Sequence, residues 1–78
     1  MSHIPVPHPS ILDTHDFYRV IAGRKVWRSK NGRRFFSWDS QHGEIEVFDG
    51  NGLHLGVLEP IHGSMTKGAV EGRRLNVR

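Results

Sequence analysis

The chain has no cysteine, which excludes a disulfide framework and any zinc centre built on thiolates. It leaves the redox compartment open. The chain is also short: 78 residues exclude a multidomain enzyme. A core of this size is marginal and must rest on packing, hydrogen bonds or a bound partner. No apolar run approaches the ~20 residues that span a bilayer, and no membrane insertion is expected of this domain. The first residues, Met1-Ser2-His3-Ile4-Pro5, lack the basic and apolar regions of a secretory signal and read as the start of an excised module. With 36% hydrophobic and 24% charged residues the composition is that of a globular chain.

Acidic residues are missing from Phe17 to Trp38, where Arg19, Arg24, Lys25, Arg28, Lys30, Arg33 and Arg34 stand. From Asp39 to Glu71 the balance reverses, with Asp39, Glu44, Glu46, Asp49, Glu59 and Glu71 against Lys67 alone. Arg73, Arg74 and Arg78 follow. The formal net charge of +3 is therefore the sum of two opposed regions. Such a pattern suits a polyanion held in one place and carboxylates placed in another. On charge alone, a solvated basic face is the plainer reading.

Pro5, Pro7 and Pro9 force an extended arm. Ser10 is a candidate N-cap, with Asp13 in the first turn. Ile11, Leu12, His15, Tyr18 and Ile21 then predict a short helix ended by Gly23, although Val20 and Ile21 also suit a strand. Beyond Gly23 the punctuation is that of a meander. Its strands run over Lys25–Arg28, Arg33–Asp39, Glu44–Asp49 and Leu53–Leu58, then Met65–Lys67 and Arg73–Val77. Asn31-Gly32 signals a type I′ hairpin, and turns this dense leave no room for crossover helices. The expected class is α+β. A short N-terminal helix or arm (residues 1–22) precedes a small, highly twisted, mainly antiparallel β-sheet (residues 23–78), all within one domain.

Alternation assigns the faces. Arg34, Phe36 and Trp38 oppose Phe35, Ser37 and Asp39; Ile45 and Val47 oppose Glu44, Glu46 and Phe48. Leu53, Leu55 and Val57 oppose His54, Gly56 and Leu58. One greasy face and one exposed polar face carrying Asp39, Glu46 and His54 would make a reaction platform. Trp27, Phe36 and Trp38 could stack on bases, but large aromatics in so small a domain are more often core. The spacing of His3, His8 and His15 fits no standard zinc pattern.

The densest chemistry lies in Trp38-Asp39-Ser40-Gln41-His42-Gly43-Glu44-Ile45-Glu46. Cleavage of RNA by its own 2′-hydroxyl needs a base, an acid for the leaving 5′-oxygen, and a cation for the charged phosphorane. A carboxylate beside a histidine supplies the first two, and an arginine grips phosphate bidentately. By spacing alone, a solvated acidic face with a turn histidine is the commoner arrangement.

The segment from Trp38 to Glu44, with Glu46 after it, resembles the active-site segment of the cytotoxic ribonuclease domain of the E-group colicins and cloacin. The resemblance continues at His54-Leu55-Gly56, at Lys67-Gly68 and at Arg73, and Trp27 keeps its distance before Trp38. It covers roughly residues 24 to 74, with one residue missing in the Asp49 to Gly52 turn. The resemblance implies catalytic roles for Asp39, His42, Glu46 and Arg73, with Arg74 the alternative to Arg73. Glu46 would be the base, His42 the acid, Asp39 the group that orients His42, and Arg73 the phosphate clamp. The residues themselves leave open which of Glu46 and His42 is the base. Arg24, Lys25, Arg28, Lys30, Arg33, Arg34, His54, Lys67 and Arg74 are expected to hold RNA; His54 could equally stand behind the catalytic groups and support them, or be a simple exposed strand histidine. Continuous alternation would place Arg73 on one face with Leu75 and Val77, unless the chain bends at Gly72.

The resemblance further implies cleavage of small-subunit ribosomal RNA at the decoding centre, without metal or cofactor, leaving a 2′,3′-cyclic phosphate. It implies a toxin released or delivered by one bacterium that acts in the cytoplasm of another, and an acidic immunity protein as partner. Three other readings compete: a toxin ribonuclease with another target such as tRNA, a metal-dependent nuclease, and a non-catalytic basic RNA-binding module.

Overall fold

The computed structural model describes residues 3–78. Six strands, β1 (Asp16–Ile21), β2 (Arg24–Arg28), β3 (Arg34–Asp39), β4 (Glu44–Asp49), β5 (His54–Leu58) and β6 (Met65–Gly68), form one antiparallel sheet in sequence order. Among the described residues no helix is long and apolar enough to cross a membrane.

The expected N-terminal helix is corrected to a single 3₁₀ turn, Ile11–Thr14. Its start signal is real: Ser10 Oγ accepts from Leu12 N at 3.2 Å and Asp13 Oδ2 accepts from Ser10 N at 3.0 Å. It stops because a helix of that length is marginal alone, while Phe17, Tyr18, Val20 and Ile21 favour a strand. As β1 they pair with β2, and Tyr18 and Ile21 pack on Val26 and Phe35.

The type I′ turn also lies elsewhere. Ala22 (φ 52°) and Gly23 (φ 79°) are the two central residues between paired Ile21 and Arg24, both left-handed as that turn requires. The Asn31-Gly32 loop is longer: Gly32 N bonds Ser29 O at 2.9 Å, and Asn31 Oδ1 accepts from Arg33 N at 2.9 Å. There the asparagine acts through its side chain. Of the expected last strand only a Leu53–Arg74 bridge forms. The remainder is irregular chain laid over the sheet.

Both faces of the sheet are covered. Phe36, Trp38, Ile45 and Val47 pack with Leu12 under the arm, which also contributes Val6 and Ile11. Trp38 Nε1 donates to Ile4 O at 2.8 Å, fixing the arm. His3 meets Ser40, His8 meets Asp13, and His15 stacks on Phe36 with ring centroids 4.2 Å apart. On the opposite face Val26, Phe35 and Phe48 are covered by Tyr18, Ile21, Leu75 and Val77. The face expected to be polar and exposed thus carries a second core, and Asp39, Glu46 and His54 are buried at its edge.

Candidate active site

The turn after β3 is organised by Asp39. Its Oδ1 accepts from Gln41 N at 3.1 Å and His42 N at 3.2 Å, and its carbonyl accepts from Gly43 N at 2.8 Å. Gly43, at φ 69°, closes the turn in a conformation that side chains rarely adopt. Asp39 Oδ2 then lies 2.8 Å from His42 Nδ1, leaving Nε2 as the ring's outer nitrogen, with the side chain 62% exposed. The run from Asp39 to Gly43 is a self-contained device for aiming one imidazole.

Pairing across the sheet supplies the rest. The register Val26–Ser37–Glu46–Val57 runs across four strands on one face, and its continuation sets Arg24 opposite Asp39. Arg24 Nη1 reaches Glu46 Oε2 at 2.5 Å, and its Nη2 stands 3.8 Å from Asp39 Oδ2. Arg73 Nη1 binds Glu46 Oε1 at 2.5 Å. Arg73 and the cluster-packing Leu75 and Val77 all meet the same side of the sheet, because that side is itself half apolar. The expected conflict of parity does not arise. These groups line one cavity of about 610 Å³ with His42, Glu44, Lys67 and the buried hydroxyl of Ser37, which has no hydrogen-bond partner among the described residues.

Burial alone would raise the Glu46 carboxyl, but hydrogen bonds and charge from Arg24 and Arg73 outweigh it and hold it below its ordinary range. Asp39 is lowered likewise: burial opposes, and the His42 hydrogen bonds and the Arg24 charge prevail. Both carboxyls titrate lower folded than unfolded, so their contribution to stability is complete above the unfolded value and lost as pH falls through the folded one. Tm should therefore fall as pH drops from about 5 toward 2, and Glu46→Gln should flatten that fall. Thermal melts across that range check it, and an unflattened curve in the variant would contradict the pairing.

Other assigned residues fall in different places. His54, expected to contact RNA, has a fully buried side chain. Its Nδ1 accepts from Val70 N at 2.9 Å, and its Nε2 lies 3.0 Å from Glu46 Oε1 without the alignment of a hydrogen bond. A bulge at Leu55 puts Val57 on the face of His54 and Glu46, where simple alternation set it opposite. Lys25 lies off this face, lining a cavity beside Ile4 and Trp38 under the arm. Lys30 pairs with Asp16 at 2.5 Å, and Lys67 stands 3.5 Å from Glu44. Arg33 and Arg34 are exposed at the start of β3, and Arg28 and Arg74 line a second cavity. Arg24, expected only as part of an RNA-affinity tract, stands inside the site against Glu46 and Asp39. The two-residue turn before it is the signal that could have revealed its position. Among the described residues, Asp39, His42 and Glu44 also bring one ligand atom each within 4.8 Å of one another, a spacing that could hold a cation.

A buried carboxylate clamped by two arginines, beside an aspartate-held histidine on an antiparallel sheet, has the make-up of an acid–base site. The family model described as "Cytotoxic" matches residues 19–76, and the chain belongs to that family, the cytotoxic domain of colicins and cloacin. Colicin E3 and colicin-E6 of Escherichia coli are each 46% identical over 46 residues, and cloacin of Escherichia coli is 41% identical over the same length. Those alignments cover 58% of this chain and 8% of each relative. It is a colicin-like bacterial toxin domain.

Proposed function

We propose that the domain is an endoribonuclease that cleaves small-subunit ribosomal RNA at the decoding centre by metal-independent transesterification. The observation that carries this reading is the double clamp on Glu46. A carboxylate held ionised by two arginines is a base already deprotonated at neutral pH, with cations where a phosphate would sit. Glu46 takes the 2′-hydroxyl proton, and the 2′-oxygen attacks phosphorus. His42 gives a proton to the departing 5′-oxygen, with Asp39 holding the ring by its other nitrogen. Arg73 and Arg24 turn to the phosphate and stabilise the phosphorane. As they leave Glu46 its basicity rises, so substrate binding strengthens the base. His54 packs against Glu46 from below as a positioning residue.

Family membership favours the remaining parts of the reading. The chain acts after release from one bacterium, in the cytoplasm of another, and an acidic immunity protein binds it in the producer. Ribosomes treated with the domain in EDTA should yield a cut in small-subunit RNA. Loss of cutting on chelation would favour the cation site at Asp39, His42 and Glu44, and intact RNA with salt-sensitive binding would favour a non-catalytic module.

A further inference from the structure

We infer that the groove between the C-terminal segment and the turns at Gly32 and Asn51 binds the phosphates flanking the cleaved bond. This rests on the ribonuclease reading and extends it to RNA beyond the reacting atoms. The groove is an open cavity of about 940 Å³ whose wall carries Arg28, Arg74 and Arg78, with Asn51 and Asn76 adding amides and no Asp or Glu lining it.

The charges there are available. Arg24 and Arg73 are engaged by Glu46, Lys30 by Asp16 and Lys67 by Glu44. Arg28, Arg74 and Arg78 have no carboxylate partner among the described residues. Guanidinium forks match phosphate oxygens bidentately, so three of them on one wall suit a phosphodiester chain.

The wall is fixed in place. Leu75 N donates to Gly52 O at 2.8 Å, and a Cβ on Gly52 would lie 2.1 Å from Leu75 O, so only glycine permits the approach. Tyr18 Oη donates to Val77 O at 2.8 Å, and Arg19 donates to Arg78 O. These bonds hold Arg74 and Arg78 on the groove that Arg28 enters from β2. Arg74 and Leu75 also line the reaction cavity, so the two spaces adjoin there and lie within reach of one strand.

The test compares wild type with Arg28→Ala/Arg74→Ala/Arg78→Ala on a dinucleotide and on a single strand of about ten nucleotides, a span typical of small nucleic-acid folds. Binding of a 2′-O-methyl version of that strand is followed over salt. Wild type should prefer the longer strand by about tenfold or more in kcat/KM, and the variant should lose that preference through KM. The variant neutralises fewer phosphates, and a deficit of two flattens the slope of log affinity against log salt by about 1.4. If the triple variant fails to fold by thermal melting, Arg28→Ala and Arg78→Ala singly should each show part of the same loss. An undiminished preference and slope, or an equal loss on both substrates, overturns the inference. If wild type cuts neither these substrates nor ribosomal RNA yet binds the strand with a slope that the variant flattens, the ribonuclease reading fails and the groove stands.

Discussion

Glu46→Gln and His42→Ala are each expected to lower the single-turnover cleavage rate by about 10²–10⁴-fold, the range for removing a positioned base or acid. The two should differ in binding. Glu46→Gln removes the charge that Arg24 and Arg73 now neutralise, so both guanidinia become free for phosphate and RNA affinity should rise a few-fold. His42 lies at the exposed end of the site, and its removal should change affinity little. A rate that collapses while binding tightens is the signature of a base clamped by its own phosphate ligands. It is opposite to what an RNA-contacting carboxylate would show. The double variant should be scarcely slower than either single one, because acid and base act in one step. Rapid-mixing kinetics at saturating RNA, with affinities for a 2′-O-methyl strand, checks all three. Glu46→Gln cutting at the wild-type rate would remove the base from the mechanism.

The second large effect is on the fold. His54→Ala should destabilise the domain by about 2–4 kcal/mol, since it empties a buried ring site and orphans the Val70 amide. In a chain of 78 residues this corresponds to a fall in Tm of roughly 10–25 °C. The ring also packs edge-on to Phe48, with centroids 5.3 Å apart. His54→Asn can keep an acceptor for Val70, and it should recover part of the stability while leaving Glu46 without the imidazole beside it. Its cleavage rate should then stay low with KM and salt dependence near wild type. A His54→Asn protein that folds normally, cuts at full rate and binds RNA weakly would restore the substrate contact that the sequence suggested.

The sequence carried the middle of this fold and most of its site. Strands Glu44–Asp49 and Arg34–Asp39 were legible because alternation and turn residues agree there. The Asp39–Gly43 turn was legible because its chemistry is local: one carboxylate caps the backbone and holds the histidine within five residues. What failed was non-local. Ser10 and Asp13 do form a capping box, but whether a helix continues past one turn is decided by β2, which offers Tyr18 and Ile21 a place to pack.

The faces were misjudged for a related reason. Strand alternation places Glu46 and His54 on the polar side but says nothing of what covers it. Here Arg73, Leu75 and Val77 return over that side, turning an exposed platform into a half-buried cavity with an apolar neighbour. Arg24 was read as part of a basic tract because charge counts do not record strand register. A type I′ turn at Ala22-Gly23, whose alanine is an unusual occupant of that conformation, sets the register that brings Arg24 to Glu46.

The central claim is that the chain's own carboxylate and histidine drive attack by the RNA's 2′-hydroxyl. Its most direct test is the chemistry of the ends left on small-subunit RNA after treatment of ribosomes in EDTA. The account predicts a 2′,3′-cyclic phosphate and a 5′-hydroxyl at a single cut with wild type, and no cut with His42→Ala or Glu46→Gln. A 5′-phosphate end, or the same cut made by either variant, would contradict it.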